Sequence, residues 1–148
     1  MEAVIFIGLQ AAGKSTFYLR RFFRTHVRIN MDMLRTKHRE RLLLDACLAG
    51  KQAFVIDKVN AAATDRATYI HLAKAAGFHV VGYYFQSKLD DCLARNAARP
   101  EAEQVPDMAI LGTYKRLQLP SPAEGFDRLY YVWTTTGDFV VEEWRDEV

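Results

Sequence analysis

The segment Gly8-Leu9-Gln10-Ala11-Ala12-Gly13-Lys14-Ser15-Thr16 carries chemistry in its spacing. It fits G-x-x-x-x-G-K-[ST], the pattern of a loop that wraps a polyphosphate. Glycines stand where a side chain would collide with the ligand. Backbone N–H groups and the N-terminus of the following helix supply partial positive charge. Lys14 adds a full charge for the β- and γ-phosphates, and the Ser15 hydroxyl is a Mg²⁺ ligand of the right kind. Gly8, Leu9, Gln10, Ala11, Ala12, Gly13, Lys14, Ser15 and Thr16 are therefore expected to cradle ATP or a related triphosphate. Ala11 and Ala12 replace the glycine or serine that would be freer there. An alanine held at positive φ would cost about 1 kcal/mol or more.

Further along, Asp32 and Arg35 are three residues apart, and Arg95 and Arg99 are four apart. Each pair shares a face if its segment is helical. A carboxylate beside a hydroxyl nucleophile can accept its proton, and paired guanidinium groups can neutralise a transferring phosphoryl group. Each residue also has a plainer role. Asp32 can cap a helix, Arg35 can form a surface ion pair, and Arg95 and Arg99 can be a solvated face. Asp57 can orient the loop or a magnesium's water shell. Arg66 and Tyr69 read as braces for their helix. His26, His38, His71 and His79 form no ligand cluster.

Positioning these groups requires alternating strands and helices. Residues 3–7 (AVIFI) form an apolar run ended by Gly8, as a strand buried on both faces does. A helix is expected from Lys14 to about Arg24, then a short strand over Val27–Ile29. A helical stretch starts at Asp32–Leu34, and a clearer helix over 39–49 is closed by Gly50. Ala53–Ile56 is the next strand, ending at Asp57. Thr64 can cap a helix from Asp65 to Ala76, stopped by Gly77. Phe78–Phe85 is a strand, Ser87 can cap a helix over 88–99, and Pro100 stops it. Residues 100–105 are irregular, Pro106 opens a helix to about Leu117, and 118–126 form a loop. Arg128–Thr135 is a last strand, followed by a tail ending in Trp144. Strands separated by helices of this length run parallel. The expected product is one three-layer α/β/α domain over 1–148, with a mostly parallel sheet of about five strands. Ligands bind such sheets at the strand carboxyl ends, where Gly8, Asn30, Asp57 and Gln86 fall.

Composition limits the alternatives. The chain has 148 residues, half of them hydrophobic, so it can bury a core and disorder is excluded as the default. A net charge of +2 excludes a bulk electrostatic binder of nucleic acid, so any such role must rest on local arginines. Cys47 and Cys92 lie in apolar helical patterns without metal-ligand spacing, and read as free, buried thiols. No leader and no membrane span is expected, which suits a reducing cytoplasm. The oligomeric state is left open.

Four segments, in order, resemble the P-loop kinases of the polynucleotide 5′-kinase type, an AAA-type family related to the zeta toxins. They are the loop GLQAAGKST, the segment INMDMLR (29–35), the segment VIDKVNAAATDRATYI (55–70) and the segment ARNAARP (94–100). The resemblance covers nearly the whole chain. It implies a P-loop NTPase fold with a short helical lid, and phosphotransfer from ATP with Mg²⁺ to a hydroxyl. It implies Asp32 as general base, and Arg35 on a phosphate of the acceptor. Lys14, Arg95 and Arg99 would serve catalysis at the ATP phosphates, with Asp57 and Asn60 on the substrate side. The family's Asp-Asn-Thr-Asn appears here as Asp57-Lys58-Val59-Asn60, so two of its hydrogen-bonding side chains are replaced. Lys58 brings positive charge, either toward a phosphorylated acceptor or toward solvent. No clear h-h-h-h-D-E element is present, which argues against a motor ATPase. The phosphatase or ligase domain that such kinases often carry is not seen in this chain.

Three functions fit these residues. The first is a kinase for the 5′-hydroxyl of a nucleic-acid end. The second is a kinase for a nucleoside, sugar or other small acceptor. The third is a nucleotide-binding module with little catalysis, motivated by Ala11, Ala12, Lys58 and Val59.

Overall fold

The computed structural model describes residues 1–146. Its elements are β1 (Glu2–Ile7), α1 (Lys14–Arg21), β2 (Val27–Ile29), α2 (Met31–Leu34), α3 (Lys37–Gly50), β3 (Phe54–Ile56) and α4 (Ala63–Ala75). They continue with β4 (His79–Phe85), α5 (Leu89–Ala98), α6 (Asp107–Arg116), β5 (Arg128–Thr135) and β6 (Asp138–Glu143). The strands form one sheet in the order β2-β3-β1-β4-β5-β6. The first five are mutually parallel, and β6 pairs antiparallel with β5.

Two cores lie on opposite faces of this sheet, because successive β1 side chains point in opposite directions. Ala3, Ile5 and Ile7 pack with Leu44 and Cys47 of α3 and with Ile70 and Ala73 of α4. Val4 and Phe6 pack with Phe17 of α1, Cys92 of α5 and Ile110 of α6. The chain is thus a three-layer α/β/α fold, and both cysteines are free and buried.

The sheet has six strands where about five were expected. The extra strand is β6, in the stretch read as tail. Gly137 stands at φ 75 in the turn between β5 and β6, and Val132 meets Val141 across the hairpin. Several element ends also move. Helix α1 stops at Arg21 because Phe22 leaves helical backbone (φ −126) and buries its ring against Phe6 and Phe17. Gly50 is the last residue of α3, and Lys51 (φ 53) supplies the left-handed cap. Ala62, not Thr64, precedes α4, and the Asp65 carboxylate accepts the Ala62 N–H at 3.1 Å. Ser87 does not cap α5, because its hydroxyl is engaged by the phosphate loop.

Candidate functional site

The phosphate loop joins β1 to α1, at the carboxyl edge of the sheet. Gly8 donates its N–H to Val59 O at 3.0 Å, and Leu9 donates to Ser87 Oγ at 3.0 Å. The loop is thereby anchored to the segments after β3 and β4. A Cβ on Gly8 would stand 3.1 Å from Phe85 Cβ and 3.2 Å from Phe85 O, so only glycine fits this close approach. Ala11 is held at φ 64, the strained conformation anticipated for it. Gly13 (φ 101) lies under the Phe139 ring, 3.1 Å from where a Cβ would sit. Phe139 also packs edge-on against Phe17, with centroids 5.1 Å apart. Strand β6 therefore backs the loop, a role its sequence position did not suggest.

Lys14 opens α1 and is 9% exposed. Its Nζ donates to Gly8 O at 2.8 Å and to Leu9 O at 2.6 Å. Burial lowers its pKa from 10.5 to about 8, with the Asp57 carboxylate acting the other way and Arg99 adding to the fall.

The pairing of β1 with β3 brings Asp57 to the loop. Asp57 is 2% exposed, and its Oδ2 accepts Ser15 Oγ–H at 3.1 Å and Arg28 Nε–H at 2.8 Å. Arg28 Nη2 also donates to Ser15 Oγ at 2.9 Å. Hydroxyl and carboxylate oxygens suit a hard divalent cation. Among the described residues no group of three or more His, Cys, Asp or Glu could hold a metal. The oxygens presented at this point are Ser15 Oγ and Asp57 Oδ2.

Strands β2 and β3 are tied at their ends. Asn30 Nδ2 donates to Asp57 O at 2.9 Å, while Asn30 Oδ1 accepts Met33 N–H and caps α2. That cap starts the short helix that carries Asp32. Arg35 follows α2 at φ 74, a strained conformation at the joint with α3. A cleft of about 610 Å³ joins Ser15, Thr16, Arg28, Asp32, Arg35 and Arg99, with residues 102–105 closing one side. The structure thus brings five of the anticipated residues, Ser15, Thr16, Asp32, Arg35 and Arg99, into one space from three distant segments, and adds Arg28.

The lid arginines part company. Helix α5 ends at Ala98 and Arg99 is extended, so Arg95 and Arg99 share no helical face. Arg99 lines the cleft, whereas Arg95 donates to Thr134 Oγ1 of β5 at 2.9 Å. Arg95, Lys14 and Arg99 all oppose the rise in pKa that burial imposes on the Cys92 thiol.

Asn60 turns inward instead of toward the cleft. It is 3% exposed at φ 45, and its Nδ2 donates to Phe6 O at 2.7 Å. Lys58 is half-buried and lies outside this cleft: its Nζ donates to Glu40 Oε2 at 3.2 Å and to Tyr69 OH at 2.8 Å, and the rest of its side chain stays partly open to solvent. Tyr69 in turn donates to Glu40 Oε1, so α3, α4 and the end of β3 are locked together. Arg66 is fully buried and donates to Glu124, Asn60 O, Ala61 O and Gln118 O. It braces the fold, as expected, by tying α4 to the segments around residues 60, 118 and 124. Nothing in the spacing of Arg28, Ser87 or Phe139 could have assigned them to the site, because each reaches it only through sheet pairing or a turn. Among the described residues no helix is long and apolar enough to cross a membrane.

A mostly parallel sheet with this loop between its first strand and first helix defines a P-loop, kinase-like α/β domain. The chain belongs to the AAA domain family, whose model matches residues 35–120. The phosphate loop lies just ahead of that match. The chain is 26% identical over 129 residues to a bifunctional polynucleotide phosphatase/kinase of Schizosaccharomyces pombe. The similarity takes in 84% of this chain and 32% of the relative, so the chain spans about a third of that protein's length. Two solved structures share the fold. One is Chaetomium thermophilum Kti12 in complex with ADP-AlF3, 16% identical with a TM-score of 0.65 over 88% of each chain. The other is the PezAT toxin-antitoxin system of Streptococcus pneumoniae, 15% identical with a TM-score of 0.66, covering 88% of this chain and 67% of that one.

Proposed function

We propose that this chain is a single kinase domain that moves the γ-phosphate of ATP to the 5′-hydroxyl of a nucleic-acid end. The observation that carries the reading is the single cleft lined by Ser15 and Thr16, by Asp32 and Arg35, and by Arg99. It offers a phosphate cradle on one side and a carboxylate for an incoming hydroxyl on the other. Positioning and charge neutralisation are what phosphoryl transfer requires of a protein.

In this mechanism the loop amides, Lys14 and Arg99 hold the polyphosphate. Asp32 accepts the proton of the attacking hydroxyl, and Arg35 steadies a phosphate of the acceptor. Arg95, tethered to Thr134, supports the lid. Magnesium, held through Ser15 with Asp57 behind it, would supply charge neutralisation on the β- and γ-oxygens. Asn60 serves the substrate side indirectly, by fixing the segment after β3 to β1. Two facts favour a nucleic-acid acceptor. The similar fission-yeast protein is named a polynucleotide phosphatase/kinase. In addition, Arg35 lines the cleft with Asp32, and Lys37 and Arg39 are exposed at the start of the next helix, positive charge of the kind phosphates attract.

The test is transfer of label from γ-labelled ATP, with Mg²⁺, to a 5′-OH single-stranded oligonucleotide and to a panel of nucleosides and sugars. Label should reach the oligonucleotide. Lys14→Ala and Asp32→Ala should each slow transfer by roughly 10²-fold or more. Full activity in Asp32→Ala would remove the base assignment. Transfer only to the small acceptors would replace the acceptor class, and ATP binding without any transfer would leave a binding module.

A further inference from the structure

Arg28 is a third party at the place where a divalent cation would work. Its guanidinium donates from Nε to Asp57 Oδ2 at 2.8 Å and from Nη2 to Ser15 Oγ at 2.9 Å. The two groups it engages are the hydroxyl and the carboxylate that a nucleotide-bound metal needs. The Asp57 side chain is 2% exposed, so its charge must be balanced locally, and Arg28 balances it. A divalent ion beside Ser15 would meet this guanidinium within a few ångströms, and two cations at that distance repel strongly in a partly desolvated site.

Arg28 also has somewhere to go. Its side chain is 28% exposed, it lines the cleft that holds Asp32, Arg35 and Arg99, and its Cζ lies 5.8 Å from the Tyr18 ring centre. We propose that Arg28 is a resident cation that holds Ser15 and Asp57 together until nucleotide-borne metal displaces it, and that the displaced guanidinium turns into the cleft. The exchange keeps Asp57 neutralised throughout, by arginine first and by the metal afterwards. It also couples metal loading to the arrival of another positive charge where phosphoryl group and acceptor meet. The inference rests on the reading of Ser15 as the metal-side residue.

The experiment measures Mn²⁺ binding by electron paramagnetic resonance, with a non-hydrolysable ATP analogue, in the wild-type chain, Arg28→Met and Arg28→Lys. Thermal melts in EDTA and in Mn²⁺ with the analogue accompany it. Removing two charge-assisted hydrogen bonds from the metal-free state should tighten Mn²⁺ by roughly tenfold or more in Arg28→Met. Arg28→Lys should fall between, since a lysine is a single point charge without the planar fork. Arg28→Met should melt below wild type in EDTA, and the gap should close once metal and analogue are added. If Arg28→Met does not fold, Arg28→Lys carries the comparison. Equal Mn²⁺ affinity across the chains, or weaker binding in the variants, would overturn the proposal. Failure of every chain, wild type included, to bind Mn²⁺ with the analogue would instead sink the metal-side reading of Ser15, and the exchange with it.

Discussion

The loop lysine should make the protein less stable at the pH where it works, and that cost can be measured. Lys14 is 9% exposed, and burial brings its pKa from 10.5 down to about 8. Holding a proton there instead of in water costs about 3 kcal/mol, from the standard conversion of a pKa difference. Above pH 10.5 both folded and unfolded chains carry a neutral lysine, and this contribution is fully present. As pH falls through the range from 10.5 to about 8, the unfolded chain takes up a proton that the folded chain does not, so stability falls. Below about 8 the loss is complete. Denaturant unfolding of the wild type and of Lys14→Met, at steps from pH 7 to pH 10.5, isolates the effect. Other titrations, such as the buried tyrosines, are common to both chains. The difference in unfolding free energy should shift by about 3 kcal/mol in favour of the wild type between the two ends of that range. A bound polyphosphate should reverse the penalty by raising the lysine's pKa. Nucleotide affinity should therefore fall above pH 8, by up to tenfold per pH unit, with proton uptake visible in calorimetry. Parallel stability curves for the two chains would refute the burial argument.

Two further outcomes follow from the packing. Arg66→Met takes the guanidinium from the Glu124 carboxylate and from the carbonyls of Asn60, Ala61 and Gln118, of which Glu124 keeps the Ser121 N–H and Ala61 the Gln118 N–H, and should cost about 3–5 kcal/mol in denaturant unfolding; adding Glu124→Gln to that variant should recover part of the loss. Gly82→Ala would set a Cβ 2.7 Å from Phe126 Cε1 and 2.8 Å from Leu129 Cδ1, and should lower stability by about 1–3 kcal/mol in the same assay without changing nucleotide affinity.

The sequence by itself determined the architecture and the phosphate loop. Both are written in short-range pattern: the apolar runs of β1, β3 and β4, the helices between them, and the fixed spacing from Gly8 to Ser15. Local rules likewise marked the left-handed strain at Ala11 and the bracing role of Arg66. They failed at element ends, because a cap is decided by which side chain is free. Ser87 had the chemistry to cap α5, but its hydroxyl accepts the Leu9 N–H. They failed at β6 as well, since only pairing with β5 gives that stretch a partner. The separation of Arg95 from Arg99 turned on a single residue, the point at which α5 stops.

Only the tertiary structure decided who meets whom at the site. Parallel pairing of β1 with β3, and of β3 with β2, lays Asp57 against Ser15 and sets Arg28 across both. It turns Asn60 toward Phe6 and gives Lys58 to Glu40 and Tyr69. Periodicity and motif spacing describe neighbours along one chain segment. Residues 13, 29 and 42 positions apart become neighbours only when strands from separate segments come into register. The partner a charged side chain then finds fixes whether it braces the fold or remains available for chemistry.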